Sequence, residues 1–512
     1  MSAGANDGFE VVAIAGAGLM GGGIAQVAAQ AGCSVRLFDV REGAAESARE
    51  TVASTLAKLA EKGKLTADAA AAATRRIEVA TSLERFADAG IVIEAIVERL
   101  DAKQALLKSL EAIVGDDCVL ATNTSSLSVT SIAAACRRAE RVAGLHFFSP
   151  VPLMKLVEVI EGLLTRPDVS ERLMAFGARL GHTPVRAKDT PGFIVNHAGR
   201  GFGTEALRIA GEGIADYGAI DRILRTAAGF RMGPFELLDL TGLDVSHPVM
   251  ESIYRQYYDE PRFRPSPITA QRLAAGLLGR KSGRGFYAYG GTAETRAQPV
   301  APESAPRPAG GPHVWIGAAD PLTRKRVSDL VTALGGIVER AGLPKDGALC
   351  VVMPMGRDAT TAALDEELDP GQTVALDTLF DLASHRTLMT TPITSTAARE
   401  NARALFTADG AVVDVIHDSP GFIAQRVVAH IVNIACDIAQ QRIATPADID
   451  LAVRLGLGYP RGPLAWGDAL GPARLLGILH ELQSFYGDPR YRPSPWLTRR
   501  ARLGVSLLTP EG

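Results

Sequence analysis

A doubly wound α/β domain followed by an all-α domain, with a degenerate partial repeat of this pair in the C-terminal half, is the fold class that the sequence predicts. Three observations support it. Short apolar runs alternate with longer helical patterns from Val11 to about Asp189, helical patterns alone then continue to about Leu278, and motifs of the first half recur in the second. A chain of 512 residues also exceeds the size of one hydrophobic core.

Five apolar runs near the N-terminus have the length of buried strands. They are Val11–Ala15, Ser34–Phe38, Ile91–Ala95, Val119–Thr122 and Val142–His146. Their alternation with helical patterns predicts a parallel sheet covered by helices. We therefore assign residues 1–188 to this domain and residues 189–289 to a mostly helical domain, in which Gly233-Pro234 is the main break.

The second half begins after a segment, residues 290–312, that is rich in Pro, Gly, Ala and Ser and predicts an extended linker. Strand-like runs then predict a second, degenerate Rossmann-like α/β domain over residues 313–417. These runs are His313–Gly317, Leu349–Met353, Thr373–Leu376 and Val412–Ile416. No GxGxxG string follows the first of them, so we do not expect this domain to bind a dinucleotide in the usual way.

Three spaced motifs indicate that the helical domain is duplicated over residues 418–512. "DTPGFI" from Asp189 recurs as "DSPGFI" from Asp418, and each motif is followed 44 residues after its Asp by Gly-Pro. "EPRFRPSP" from Glu260 recurs as "DPRYRPSP" from Asp488. We expect the second copy to be non-catalytic, and either an internal pseudo-dimer or a homodimer to bury the shared face.

Composition favours a small-molecule partner in a reducing compartment. Lys plus Arg (54) nearly balances Asp plus Glu (57), so no field of one sign is available to hold nucleic acid or an anionic membrane. The five cysteines are scattered without CxxC spacing, which argues against disulfides and against a metal site. The first ten residues carry no Lys or Arg and predict no secretory signal. We expect a soluble, cytoplasmic protein.

The string "GAGLMG" between the first two apolar runs predicts a dinucleotide site in a Rossmann-type fold. Glycines at a strand-to-helix turn let backbone N–H groups approach a pyrophosphate. Asp39 ends the next strand, where a carboxylate accepts hydrogen bonds from a ribose diol and repels a 2′-phosphate; this favours NAD, although Arg41 leaves NADP open. The alternative is a turn that needs glycines only for packing. The predicted contacts are Gly16, Gly18, Leu19, Met20, Gly21 and Asp39.

Residues 9–290 resemble the 3-hydroxyacyl-CoA dehydrogenase family along their whole length. The matching motifs are "GAGLMGGGIAQVAAQAG", "EAIVERLDAK", "TNTSSL", "GLHFFSPVPLMKLVEVI", "KDTPGFIVN", "MGPFELLDLTGLD" and "GRKSGRGFY". The resemblance implies reversible, NAD-dependent oxidation of a (3S)-3-hydroxyacyl-CoA to a 3-oxoacyl-CoA. The linker and second copy resemble the long bacterial form associated with butyryl- or adipyl-type substrates, which implies a role in fatty-acid β-oxidation or in aromatic-acid catabolism such as that of phenylacetate.

By this resemblance His146 of the "HFF" motif is the catalytic base. A histidine side chain, with an ordinary pKa of about 6.5, can take and return the proton of a secondary alcohol near neutral pH. Glu158 matches the carboxylate that orients the imidazole. An unpaired carboxylate in the apolar run "KLVEVI" would be costly, so a cationic partner is expected. The alternatives are a structural core histidine and a solvated strand carboxylate.

Other site residues also come from the resemblance. Ser125 and Asn196 match the pair that binds the substrate's reacting oxygen and neighbouring carbonyl, although such residues also serve as helix caps and turn formers. Glu98, Lys103 and Asn123 would line the ribose and nicotinamide end of the cofactor.

Several positions depart from the family pattern. Ser149 and Arg99 stand where Asn is usual, and "GRGFG" from Gly199 replaces a bulkier aromatic stretch, which puts the substrate range in doubt. A lysine group after the second strand could meet CoA phosphates or form a solvated helix face. It consists of Lys58, Lys62 and Lys64.

The second half departs further. Gln425 occupies the position of Asn196, and His385 lies at the wrong spacing from its motif to match His146. We therefore predict one active site per chain. Two other functions stay open: an NAD-dependent dehydrogenase of a free 3-hydroxyacid or sugar acid, and a non-enzymatic NAD-binding scaffold.

Overall fold

The computed structural model describes residues 7–289, 311–318, 320–339 and 342–511, so most of the predicted linker lies outside it. The chain forms two compact units. One contains residues 1–197 and 441–457, and the other contains residues 198–440 and 458–512. The predicted domains are continuous segments defined by their secondary structure, whereas these units are defined by packing and are each built from two segments. Within the described ranges, no helix has the length and apolar character needed to cross a membrane.

The first unit contains a doubly wound sheet of eight strands, as the sequence predicts. The strands are β1 (Val11–Ala15), β2 (Ser34–Phe38), β3 (Ile77–Val79), β4 (Ile91–Glu94), β5 (Val119–Thr122), β6 (Val142–Phe147), β7 (Leu156–Glu161) and β8 (Thr183–Lys188). They lie in the order β3-β2-β1-β4-β5-β6-β7-β8. Every neighbouring pair is parallel except β6 and β7, which are antiparallel. The five predicted strands are confirmed to within one residue, while β3, β7 and β8 were not predicted.

Helices cover both faces of this sheet. They are α1 (Leu19–Gln30), α2 (Ala44–Glu61), α3 (Ala67–Arg75), α4 (Leu100–Glu111), α5 (Val129–Ala133) and α6 (Pro167–Arg179). Successive side chains of a strand point to opposite faces, so each strand serves two cores. Thus Ile14 of β1 belongs to one buried apolar cluster and Ala13 belongs to another.

Helices alone follow, as predicted. They are α7 (Val195–Gly211), α8 (Tyr217–Thr226), α9 (Pro234–Thr241), α10 (Leu243–Gln256) and α11 (Pro267–Ala274). Helix α9 begins at the predicted break, because Pro234 at its first position has no N–H to lose. Asp239 of α9 accepts hydrogen bonds from Phe286 N (2.8 Å) and Tyr287 N (2.9 Å) and so fixes the segment that precedes the linker.

The second half contains a six-stranded sheet in the second unit. Its elements are β9 (His313–Ile316), α12 (Pro321–Ala333), β10 (Ile337–Val338), β11 (Leu349–Val352), α13 (Ala359–Asp365), β12 (Thr373–Leu376), β13 (His385–Thr390), α14 (Thr396–Phe406) and β14 (Val412–Ile416). The strand order is β10-β9-β11-β12-β13-β14. Only β12 and β13 are antiparallel, so β11 to β14 repeat the pattern of β5 to β8.

A second helical group ends the chain. It comprises α15 (Ala424–Gln440), α16 (Pro446–Leu457), α17 (Pro463–Leu470), α18 (Pro472–Tyr486) and α19 (Pro495–Leu503). Helix α15 is buried over nearly its whole length. Its Arg426 is paired with Glu205 of α7 (2.8 Å), and Glu205 also accepts from Arg490 (3.0 Å). These charges are buried, and two guanidinium groups on one carboxylate are the compensation that such burial requires.

The repeated "D-T/S-P-G-F" motif has the same backbone conformation in both copies. Gly192 and Phe193 have φ values of 80° and 50°, and Gly421 and Phe422 have φ values of 74° and 50°. Two consecutive left-handed residues are rare, and glycine adopts this conformation without a Cβ clash. The duplication inferred from sequence therefore extends to the geometry of this turn.

Each α/β sheet is covered by a helix from the other half of the chain. In the first unit α16 packs against β7 and β8, and Lys188 N donates to Ile443 O (2.9 Å). In the second unit α8 packs against β13, and His417 N donates to Ile214 O (3.0 Å). The two hydrogen bonds occupy equivalent positions of the repeat. The two halves have thus exchanged equivalent helices.

Candidate active site

The predicted catalytic pair lies on two adjacent antiparallel strands. His146 near the end of β6 is directly opposite Glu158 of β7 in the register of the sheet. Both side chains are buried, and Nδ1 of His146 lies 2.7 Å from Oε2 of Glu158. The spacing of twelve residues is therefore the length of the turn that brings β7 back beside β6.

The second oxygen of Glu158 is fixed by the backbone. Oε1 accepts hydrogen bonds from the N–H groups of Ile194 and Val195, each at 3.0 Å. With both oxygens engaged as acceptors, the carboxylate is held in one orientation, and the Nδ1 atom of His146 is its hydrogen-bond donor. That tautomer leaves Nε2 of His146 with the lone pair that a general base needs.

Two aromatic rings enclose the imidazole of His146. The ring centroids of Phe148 and Phe193 lie 4.4 and 5.9 Å from that of His146. Phe193 comes from the left-handed turn of the repeated motif, directly before α7. An apolar surround of this kind excludes water and strengthens the interaction of the imidazole with Glu158.

The predicted substrate-binding pair is also brought together. Ser125 lies in the loop after β5, and Asn196 lies in the first turn of α7. Nδ2 of Asn196 donates to the backbone oxygen of Ser125 at 3.2 Å. Since β5 and β6 are parallel neighbours, the Ser125 loop and His146 share the carboxyl edge of the sheet, where doubly wound folds place their ligands.

Asn123, predicted to line the cofactor, connects the same two strand ends. Its Oδ1 atom accepts a hydrogen bond from Phe147 N at 2.8 Å. Asn123 therefore fixes the end of β5 against the residue that follows His146.

The other two predicted cofactor residues form an ion cluster under the Ser125 loop. Lys103 of α4 is buried, and its Nζ atom lies 2.7 Å from Glu94 and 3.1 Å from Glu98. Burial raises the pKa of Glu98, but the Lys103 ammonium and the hydroxyls of Thr124 and Ser126 outweigh it, so the net pKa is below its usual value. Glu98 is therefore an anion at neutral pH.

The glycine turn between β1 and α1 has the features of a pyrophosphate cradle. A Cβ atom on Gly21 would lie 1.8 Å from Gly16 O, so only glycine permits this approach of helix and turn. A Cβ atom on Gly18 would meet nothing within 4 Å, which leaves open space at the start of α1. No side chain caps α1, and no acidic residue lies in its first turn. Leu19 and Met20 form that first turn, so the helix end is available to an anion.

Asp39, just beyond β2, lies beside this turn. Its Oδ2 atom accepts from Ala17 N (2.8 Å), and its Oδ1 atom accepts from Arg41 N (2.9 Å). Although burial raises the pKa of Asp39, the hydrogen bonds from Arg41 and Ala17 lower it below its usual value. The turn, the open helix end and this carboxylate together fit a dinucleotide with a free ribose diol, which is NAD.

The corresponding site of the second half is different. Counting back from the repeated motif places Thr387 at the position of Glu158. Asp377, the residue after β12, donates its N–H to Thr387 O (3.0 Å) and stands at the position of His146. Gln425 donates to Asp377 (2.9 Å) and accepts from Gly356 N (2.8 Å). The two positions equivalent to His146 and Glu158 therefore hold no imidazole–carboxylate pair. His385 lies elsewhere, hydrogen-bonded to Thr226, and burial lowers its pKa.

Two carboxylates lie at the first turn of the second sheet. Glu366 accepts from Ala318 N (2.7 Å), and a Cβ atom on Gly317 would lie 2.8 Å from the same carboxylate. Asp320 caps α12 by accepting from the N–H groups of Leu322 and Thr323. The carboxylates of Glu366 and Asp320 thus lie where a phosphate would bind, in a cavity that Arg357 and Arg474 also line.

Sequence reasoning missed Glu94, which is buried at the end of β4. An acidic residue closing the apolar string "IVIEA", nine residues before a lysine, was the available signal. Two departures from the family pattern lie at the surface: Arg99 pairs with Asp101, and Ser149 is exposed. The lysine group Lys58, Lys62 and Lys64 is exposed as well, which fits either of its two interpretations.

Comparison with known proteins agrees with this geometry. Residues 11–190 match the family model of the 3-hydroxyacyl-CoA dehydrogenase NAD binding domain, and residues 192–289 and 421–506 match that of the C-terminal domain. The C-terminal model matches twice, as the duplication requires.

Similar proteins cover either the whole chain or its first half. A 3-hydroxyadipyl-CoA dehydrogenase of Escherichia coli is 37% identical over 96% of this chain and 98% of its own. A probable 3-hydroxybutyryl-CoA dehydrogenase of Bacillus subtilis is 43% identical over 54% of this chain and 96% of its own. The crystal structure of an Escherichia coli 3-hydroxybutyryl-CoA dehydrogenase superposes with a TM-score of 0.85 at 36% identity, covering 97% of this chain and 98% of that one. The chain therefore belongs to the 3-hydroxyacyl-CoA dehydrogenase family of NAD-dependent oxidoreductases.

Proposed function

We propose that the chain oxidises a short-chain or dicarboxylic (3S)-3-hydroxyacyl-CoA, with His146 and Glu158 as the acid–base pair. The observation that carries the proposal is the buried contact of 2.7 Å between these two side chains, beside the Ser125–Asn196 pair. The relative and the solved structure described above, which both span nearly the whole chain, have names that specify adipyl and butyryl substrates, which supports the chain-length class.

In this proposal Nε2 of His146 removes the proton of the 3-hydroxyl group. Glu158 stabilises the positive charge that develops on the imidazole. The Ser125 hydroxyl and the Asn196 amide bind the reacting oxygen and the neighbouring carbonyl and so hold the substrate in line. NAD, when bound on the glycine turn, supplies the acceptor for the hydride.

We also infer one active site per chain, since Asp377 and Gln425 replace His146 and Asn196 in the second copy. The second half then has a structural role. Its exchanged helix and the buried Glu205–Arg426 pair support an internal pseudo-dimer. Five free, buried cysteines fit a reducing compartment, and we propose the cytoplasm and a role in fatty-acid or phenylacetate catabolism.

The test is NADH oxidation with acetoacetyl-CoA, run beside free acetoacetate and beside the His146→Ala variant. We expect turnover of the thioester alone, and a loss of about 10²-fold or more in kcat for the variant. Exposed His313 offers a matched control, since His313→Ala removes an imidazole outside the site and should keep full activity.

Other outcomes would contradict the proposal. Turnover of the free acid but not the thioester would favour a free-acid dehydrogenase. Binding of NADH without turnover of either compound would favour a non-enzymatic scaffold. Full activity in His146→Ala would assign the base to another residue.

A further inference from the structure

Glu94 is a buried carboxylate to which the proposed mechanism gives no part. We propose that Glu94 is a positioning residue: acting through Lys103 and Glu98, it holds the loop that carries Ser125 in its catalytic conformation. The inference rests on the proposed role of Ser125 in binding the reacting oxygen.

The carboxylate of Glu94 is completely buried and fully engaged. Its Oε1 atom accepts from Lys103 Nζ (2.7 Å) and Ile96 N (2.8 Å), and its Oε2 atom accepts from Thr122 Oγ1 (2.6 Å). A buried charge is tolerated only when it is paired and hydrogen-bonded, and here all three partners are donors. Glu94 therefore anchors the Lys103 ammonium at a fixed point beside the ends of β4 and β5.

Lys103 connects Glu94 to Glu98. Its side chain is 1% exposed and its Nζ atom lies between the two carboxylates, 3.1 Å from Oε2 of Glu98. The Glu98 side chain is 36% exposed, so water competes for it. The ammonium keeps Glu98 turned inward, and Glu94 keeps the ammonium in place.

Glu98 in turn binds the Ser125 loop through a single oxygen. Its Oε1 atom accepts from Thr124 Oγ1 (2.5 Å), Ser125 N (3.0 Å), Ser126 N (3.2 Å) and Ser126 Oγ (3.0 Å). Two consecutive backbone N–H groups on one oxygen define the path of the chain at Ser125. A continuous series of charged contacts thus leads from the end of β4 to the residue that would bind the substrate.

This arrangement predicts which kinetic constant depends on Glu94. Misplacing a catalytic group by about 1 Å can cost about 10²-fold in rate, because orientation is lost while the ground-state contacts remain. If Glu94 acts on the Ser125 loop, its loss lowers kcat. If the cluster instead serves only the cofactor, its loss weakens NADH binding and leaves kcat at saturating NADH unchanged.

The experiment is a double-mutant cycle with Glu94→Gln and Ser125→Ala in the full chain, assayed with acetoacetyl-CoA and NADH. For Glu94→Gln we expect kcat to fall about tenfold, with the Kd for NADH, from fluorescence titration, changed less than about twofold. The double variant should be no slower than Ser125→Ala, since residues that act through one another are not additive.

Glu111→Gln is the matched control. Glu111 is a buried carboxylate at the C-terminal end of α4, the helix that carries Lys103, and it accepts from Arg137 N and Arg138 N, both at 2.8 Å. This variant should lose stability but keep kcat. Should Glu94→Gln not fold, Thr122→Val removes one donor to Glu94 with little change of shape and should lower kcat in the same direction, again without adding to Ser125→Ala.

Three results would overturn the proposal. Additive losses in the cycle would show that Glu94 does not act through Ser125, and an unchanged kcat with a raised Kd for NADH would assign the cluster to the cofactor. A wild-type chain that binds NADH but reduces no acyl-CoA thioester would remove the proposed function itself, and the role of Glu94 with it.

Discussion

The Glu158 side chain determines the orientation and the tautomer of His146 in the proposed site. One of its oxygens is held by the N–H groups of Ile194 and Val195, and the other faces Nδ1 of His146. In Glu158→Gln the amide oxygen can keep the backbone contacts, but its NH₂ group then meets Nδ1, which favours the tautomer with the proton on Nε2. The general base would be blocked.

We therefore expect kcat of Glu158→Gln to fall by about 10² to 10⁴-fold, with the Kd for NADH nearly unchanged. Steady-state kinetics with acetoacetyl-CoA and fluorescence titration with NADH measure the two quantities. A loss smaller than about threefold would mean that Glu158 does not set the tautomer of His146.

The preference for NADH over NADPH should also depend on single residues, Asp39 and Arg41. Asp39→Ser removes a negative charge and releases Arg41, whose guanidinium now pairs with Asp39 at 3.2 Å. We expect the ratio of kcat/KM for NADPH to that for NADH to rise about tenfold, because a 2′-phosphate would then meet the freed Arg41 guanidinium and no carboxylate. Asp168→Ser, which breaks an exposed pair with Arg166 away from the glycine turn, should leave the ratio unchanged. An unchanged ratio in Asp39→Ser would refute the proposed ribose contact.

At the scale of elements, the repeated motif offers two equivalent helix caps. Asp189 accepts from the N–H groups of Val129 (3.0 Å) and Thr130 (2.7 Å) at the start of α5. Asp418 accepts from those of Ala359 (2.7 Å) and Thr360 at the start of α13. Helix α5 follows the Ser125 loop of the proposed active site. Helix α13 follows the equivalent loop of the degenerate copy.

Asp189→Ala and Asp418→Ala should therefore destabilise the protein alike, by about 1–3 kcal/mol, but only Asp189→Ala should lower kcat. Thermal unfolding and acetoacetyl-CoA reduction measure the two effects. Equal losses of kcat would mean that the second copy contributes to catalysis after all.

Which elements could be predicted depended on their surroundings. Strands β1 and β5 are short apolar runs because both faces of a central parallel strand are buried, and such runs are visible in the sequence. Strand β7 contains Glu158 and β8 contains Arg186 and Lys188, so their runs are interrupted by charges. The antiparallel return after β6 also depends on long-range pairing that no local pattern records.

The same limit applies to the site. Resemblance supplied the residue types, and local spacing placed the glycine turn and Asp39 correctly next to each other. The contact of His146 with Glu158 depends on the register between two strands. The position of Glu94 under Lys103 depends on how α4 packs, and so only the folded chain reveals it.

At the scale of the whole molecule, the two α/β sheets should differ in cofactor binding. Gly18 leaves open space at an uncapped helix, whereas Glu366 and Asp320 occupy the equivalent turn of the second sheet. We expect calorimetric titration to give one NADH per chain, because a carboxylate beside a phosphate is repulsive. In Asp39→Ala the single binding event should weaken. Two equivalent sites per chain would contradict this assignment.

The exchange of α8 and α16 also bears on biosynthesis. The surface of β7 and β8 leaves the ribosome long before α16, the helix that packs against it, has been translated. At a synthesis rate of about 5–20 residues per second, this surface stays exposed for roughly 10 to 50 seconds before α16 has been synthesised. We expect the nascent chain to need protection from aggregation during that interval, and a chain truncated within the linker would leave the surface that α16 covers exposed.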